Sequence, residues 1–201
     1  MKIHQIGITI ALLAIPGLSA CTHVVNFHPV EPPEGAMTQS DASVKFYMRP
    51  ELIHSSHSFR SALSGIANKW VVNYGTRAHE FAVKYFSAAF RDFEEVSEPG
   101  TDADANLEIK HLHYTVSGQA AHVTMDVEAM GTAGAELLSE HYDTRGWSGT
   151  GVVFAAGAFA QKGAIRSSTD QAFKEIFLKL IDDLRAALVT ESGTPSSAPS
   201  E

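Results

Sequence analysis

Three groups of side chains in this chain have types and spacings that could do chemistry. His111, His113, His122 and Asp126 fall within sixteen residues of one another on two adjacent β-like runs. Imidazoles and a carboxylate gathered on one surface could bind zinc or copper, or form a patch that gains charge near neutral pH. Cys21 is the only cysteine of the 201 residues and closes the run Leu18-Ser19-Ala20-Cys21, a single thiol placed for modification. Trp147, Phe154 and Phe159 bracket and punctuate the uncharged stretch VVFAAGAFA from Val152 to Ala160. Small residues let a partner approach closely, and the three aromatic rings would anchor it.

The histidine set acquires meaning only if its strands pair in one register. Leu107 to Val116 and Ala121 to Met130 are strand-like, and Ser117-Gly118-Gln119-Ala120 lies between them. Gly118 suits the first central position of a type II′ turn, which pairs 117 with 120. That register sets Leu112 against Met125, Tyr114 against Val123 and Val116 against Ala121, an apolar face throughout. The opposite face then carries His111 across from Asp126, and His122 across from Thr115 and diagonal to His113. The simpler reading is that these are polar residues on the solvent side of a half-buried sheet. Leu107 and Ile109 break the alternation, which predicts a bulge near Lys110.

Other motifs are incomplete. Gly146-Trp147-Ser148-Gly149-Thr150 is close to a nucleophile elbow, but Thr150 stands where the last glycine belongs. Gly149-Thr150-Gly151 begins like a dinucleotide fingerprint, with Phe154 in place of the third glycine. His54-Ser55-Ser56-His57 has ligand-like spacing in a serine-rich segment, and His79 and His141 read as surface residues. No catalytic constellation is completed, so the chain reads as non-enzymatic, with no cofactor.

The surrounding elements read as one α+β domain over residues 43–189. Val44 to Met48 predicts a first strand, ended by Pro50. Ser58 to Asn68 is ambiguous, with helical spacing of Phe59, Leu63, Ile66 and Ala67. Lys69 to Tyr74 predicts a strand stopped by Gly75, and Thr76 caps a helix running to about Arg91. Ala78, Phe81, Ala82, Tyr85, Phe86 and Ala89 form its apolar stripe. Phe93 to Val96 is a short strand, 98–105 an acidic loop, and Glu136 to Asp143 a third hairpin-linked strand. After the glycine- and alanine-rich stretch 146–163, whose uncharged part Val152 to Ala160 reads most simply as a buried loop or strand, Ser168-Thr169-Asp170-Gln171 has capping-box spacing. The helix behind it is amphipathic through Ala172, Phe173, Ile176, Phe177, Leu180, Ile181, Leu184 and Leu188. The expected architecture is a mostly antiparallel sheet with two main helices on one face, a two-layer sandwich.

The N-terminus specifies location. Lys2 gives a positive start, Ile6 to Ile15 is apolar and uncharged, and Pro16-Gly17 breaks the run before small residues. The run is too short to cross a bilayer as a helix. With Leu18-Ser19-Ala20-Cys21 it resembles the signal of bacterial lipoproteins. That resemblance implies a signal peptide over 1–20 and a mature chain that starts at Cys21, carrying acyl chains on sulfur and amine. Two or more chains give stable anchoring. By the same resemblance Thr22, in place of Asp, implies the periplasmic face of the outer membrane. Residues 21–42, with Pro29, Pro32, Pro33 and Gly35, read as the lipidated cysteine and an extended tether. Residues 190–201 read as a disordered tail.

The formal net charge is −8, and removal of Lys2 with the signal makes it about −9. An acidic chain without basic clusters is a poor nucleic-acid binder. With Cys21 acylated, no thiol remains for a disulfide. From residue 69 to 188 the layout is similar to small outer-membrane lipoproteins of the YajG-like kind, through the strand before Gly75, the helix after it, the strands after Ala103-Asp104-Ala105, the Tyr142–Gly146 segment and the last helix. It is also similar to auxiliary lipoproteins of lipid-transport systems. Neither resemblance carries catalytic residues across. The first expectation is a structural or assembly partner in an envelope complex. The alternatives are a lipid- or glycolipid-binding accessory of a transport system and a periplasmic metal binder. Oligomeric state is not legible.

Overall fold

The computed structural model describes residues 22–33, 38–60, 69–147 and 153–192. Its centre is a five-stranded sheet. β2 (Ser40–Met48) lies between β5 (Phe90–Glu95) and β6 (Ala105–Ser117), parallel to both. β6, β7 (Ala120–Met130) and β8 (Glu136–Arg145) follow as an antiparallel meander. The expected α+β sandwich is the observed one. Strict alternation along β7 explains its place: Ala121, Val123, Met125, Val127 and Ala129 are buried, and the residues between them are half-buried.

The hairpin has the register its turn demands. Leu112 faces Met125, Tyr114 faces Val123 and Val116 faces Ala121, while Gly118 has φ +65°, a left-handed conformation that glycine adopts without Cβ strain. The register shifts between Ile109 and His111, so Lys110 is the bulge. That extra residue returns Leu107 and Ile109 to the buried face.

A second, smaller sheet has the order β1 (Thr22–Val24), β4 (Lys69–Val72) and β3 (His57–Arg60). The single turn α1 (Pro50–Ile53) links β2 to it, with Pro50 in the first helical turn. The strands thus form two sheets where one was expected. Of the ambiguous stretch from Ser58 to Asn68, the part through Arg60 belongs to strand β3, and 61–68 lie outside the described residues.

The tether expected over 21–42 does not stand off the domain where it is described. Thr22–Val24 pair in parallel with Lys69–Val71, Val25 N donates to Val71 O at 2.9 Å, and Val25 is 2 % exposed. Alternating apolar residues through Val25 and Phe27 give this segment a face to bury, which its prolines do not prevent. β2 then starts at Ser40, inside the range assigned to the tether.

α2 (Tyr74–Ala89) and α3 (Val153–Ser192) cover one face of the main sheet. The stripe Ala78, Phe81, Ala82, Tyr85, Phe86 and Ala89 is buried, and so is Ala172 to Leu184 of the predicted stripe on α3. Phe81 lies 5.9 Å from Phe173 and 6.3 Å from Phe177, and Phe46 of β2 lies 5.8 Å from Phe86. Two expected helix starts are corrected. α2 begins at Tyr74, and Thr76 donates its hydroxyl to Ile53 O at 3.1 Å instead of capping. Gly75 is inside the first turn, and the close approach of α1 requires glycine there, since a Cβ would sit 1.9 Å from Leu52 O. α3 begins at Val153, so Ser168 and Thr169 lie mid-helix and cap nothing. The alanine-rich stretch before them contains no proline and favours helix. α3 also runs through Ser192, past the start of the expected tail, and residues 193–201 lie outside the described residues.

Candidate functional site

The open face of the main sheet, away from the helices, carries the histidines. His111 faces Asp126 on β7, and Asp126 faces His141 on β8; one row therefore holds imidazole, carboxylate and imidazole. In the adjoining rows His113 faces Thr124, Thr124 faces Asp143, and His122 faces Thr115 and Arg145. His111, His113, His122 and Asp126 thus share one face. Side-chain pairing then divides them. Asp126 bonds His141 Nδ1 on one side, and His122 Nε2 meets Asp143 Oδ1 at 2.6 Å on the other. Among the described residues no three His, Cys, Asp or Glu come together as a metal-binding group. β8, lying on the far side of β7, supplies His141 to Asp126 and Asp143 to His122, so the carboxylate opposite His111 is already engaged.

His113 nevertheless acts on a neighbour. His57 of β3 stacks on Phe59, with ring centroids 5.7 Å apart, and meets the edge of Tyr114 at 5.8 Å. Burial, and then the charge of His113, hold the His57 imidazole below the ordinary histidine range. His54, its partner in the ligand-like spacing, is exposed after α1. His79 is half-buried and meets Glu95 at 2.7 Å, so it is less of a surface residue than expected.

Trp147 is presented to solvent. It is 64 % exposed, while its backbone N–H donates to Gln171 Oε1 at 2.9 Å. Its neighbour Gly146 is wedged against α3, where a Cβ would fall 1.6 Å from Ser168 O. A fixed backbone thus carries an open indole. The side chains of Phe154 and Phe159, on the first turns of α3, lie outside those described, as do Cys21 and residues 148–152 of the elbow-like and dinucleotide-like motifs.

Sequence reasoning missed a site at the other edge of α2. Phe27, Pro29 and Val30 run alongside Val83 and leave an open groove of about 770 Å³, rimmed by His28, His79, Glu80, Lys84 and Glu95. Arg77 builds it. Only 3 % exposed, Arg77 donates from Nε to Asp170 Oδ1 at 2.7 Å, and from Nη1 to Glu80 Oε2 at 2.7 Å and His28 O at 2.8 Å. Its guanidinium also lies 4.8 Å from the Phe27 ring and 4.9 Å from the Phe81 ring. Arg166 Nη1 donates to His28 Nε2 at 2.6 Å. Burial raises the Asp170 carboxyl above its ordinary range, against the opposing pull of Arg77. The signal was present: Arg77 interrupts the apolar stripe one turn before Phe81, where a charge needs a buried partner.

Hydroxyls join α3 to the hairpin. Ser168 Oγ accepts from Ala121 N at 2.6 Å, and Tyr114 Oη and Thr169 Oγ1 bond at 2.7 Å. Burial pushes the Tyr114 phenol up; burial and the bond to Asp183 do the same to Tyr142. No protein-family model, curated protein or solved structure matches this chain.

Proposed function

We propose that the protein is a non-enzymatic lipoprotein of the outer membrane, acylated at Cys21. Its periplasmic domain serves as a structural or assembly partner in an envelope complex. The Lys2-to-Cys21 signal supports the location. The observation that carries the partner role is Trp147. An exposed tryptophan on a backbone fixed by Gln171 and Gly146 is pre-ordered for contact, and tryptophan is the residue most enriched among binding hot spots. A photocrosslinking amino acid at position 147, in cells, tests this. One discrete adduct with an envelope protein, absent when the crosslinker stands at exposed Glu175, is the expected result. No adduct from 147 overturns it.

The groove of Phe27, Pro29, Val30 and Val83 favours a second reading, a lipid- or glycolipid-binding accessory of an envelope transport system. Concave apolar surfaces with a few polar groups at the rim take such ligands. Native mass spectrometry of the mild-detergent extract would show a retained lipid, lost in Val83→Asp; a bare protein mass sinks this reading.

A further inference from the structure

We infer that the small sheet is the membrane-facing end of the domain, with the ends of β1, β4 and β3 set in the lipid headgroup layer. The inference rests on acylation of Cys21 under the proposed function. Its own basis is the position of the first described residue. Thr22 follows Cys21 directly and is already paired with Lys69, whose other neighbour in register is Arg60. No spacer separates the anchor from the fold. One residue spans at most about 3.6 Å, and the headgroup layer is roughly 5–7 Å deep on each side of the bilayer. The acyl chains therefore bring Thr22 into that layer. With strands about 4.8 Å apart, Lys69 lies one spacing from Thr22 and Arg60 two; with the strand ends level on the membrane, both reach the layer.

The chemistry of this end suits the location. Lys69 and Arg60 are exposed cations in a chain of net negative charge, placed where lipid phosphates lie. Val24, 43 % exposed on the edge strand, adds an apolar contact. The docking is held well beyond β1, since Val25 is buried and His28 O accepts from Arg77. The domain is therefore oriented by its own first strand. The small sheet stands where α2 begins, with Tyr74 stacked on Tyr114. The far end is where Arg185 of α3 meets Ala89 O, and Gly131 approaches Glu191.

Lipidated full-length protein in phosphatidylethanolamine/phosphatidylglycerol vesicles tests this. A fluorophore is attached through Lys69→Cys, through Arg60→Cys as a second variant, and through Thr132→Cys at the far end. Acylated Cys21 does not react with the label. A nitroxide on the lipid headgroup should quench the label at 69 and at 60 at least roughly threefold more than the label at 132, since that layer is thin. A long Gly/Ser insertion between Cys21 and Thr22 should abolish the difference. Equal quenching at all three positions, in protein shown by mass to be acylated, overturns the orientation alone. Absence of acyl chains from the wild type, matching Cys21→Ser, overturns the lipoprotein reading instead.

Discussion

Arg77 Nε lies 2.7 Å from Asp170 Oδ1, and this pair fastens three stretches of chain that are remote in sequence. Arg77 belongs to α2, Asp170 to α3, and the same guanidinium holds His28 O of the N-terminal segment. Through His28 and Glu80 the same side chain ties both walls of the groove along α2 together.

Arg77→Ala should therefore destabilise the fold by about 3 kcal/mol, the lower end for breaking a buried ion pair. The lower end applies because the Asp170 side chain keeps 30 % exposure and regains some water. Urea denaturation measures the loss. Proteolysis within 22–33 should quicken in the same variant. A loss within 0.5 kcal/mol would show that the pair is not what holds the segment.

Ser168→Ala leaves the buried Ala121 N–H without its acceptor, and a buried unsatisfied donor costs about 1–3 kcal/mol. Thr169→Val removes the Tyr114 partner with similar effect. Both should lower the melting temperature, whereas the same changes at a helix cap would chiefly fray a terminus. Hydrogen exchange at Ala121 separates the two outcomes.

Gly146→Ala and Gly75→Ala force a methyl into backbone oxygen at 1.6 and 1.9 Å, so the end of β8 must part from α3 in the first and α1 from α2 in the second. Each should cost about 3 kcal/mol or more, the upper range for overpacking. Gly118→Ala meets nothing within 4 Å and bears only the strain of φ +65°, about 1–2 kcal/mol. Denaturation of the three variants should preserve that order.

His57 makes stability depend on pH. Its imidazole is held below the ordinary range, so the unfolded chain binds the proton more readily than the folded one. Its contribution is fully present above about pH 6.5 and is lost as pH falls from there through the folded value. Melting temperature should drop between about pH 7 and pH 5, and His57→Gln should flatten that drop. His113→Gln should flatten it less, because burial is the larger cause.

Trp147→Ala should change stability by no more than about 0.5 kcal/mol, as for most exposed positions, while abolishing capture of the partner that the proposed function expects. A large loss of stability would assign Trp147 to the fold.

Much of the framework is legible in residues 107–130, because alternation and one turn glycine are local and agree with each other. The buried stripes of α2 and α3 are legible for the same reason. The start of α3 is not. Ser168-Thr169-Asp170-Gln171 has the spacing of a cap, yet its first two hydroxyls serve Ala121 and Tyr114, partners 47 and 55 residues away. The histidine face and its cross-strand register follow from the hairpin, with His111 opposite Asp126 as expected. The side-chain partners do not, because His141 and Asp143 of the third strand, β8, engage Asp126 and His122.

By itself the sequence determined the hairpin register and the apolar stripes, both written within a few residues of chain. Only the tertiary structure decided that 22–33 packs on the domain, that Arg77 joins it to α3, and that Asp126 and Asp143 divide the histidines. Those outcomes depend on burial and pairing between elements up to 142 residues apart, such as His28 and Asp170 around one guanidinium. Local periodicity carries no record of such partners; the energy that selects them exists only once the layers close and exclude water.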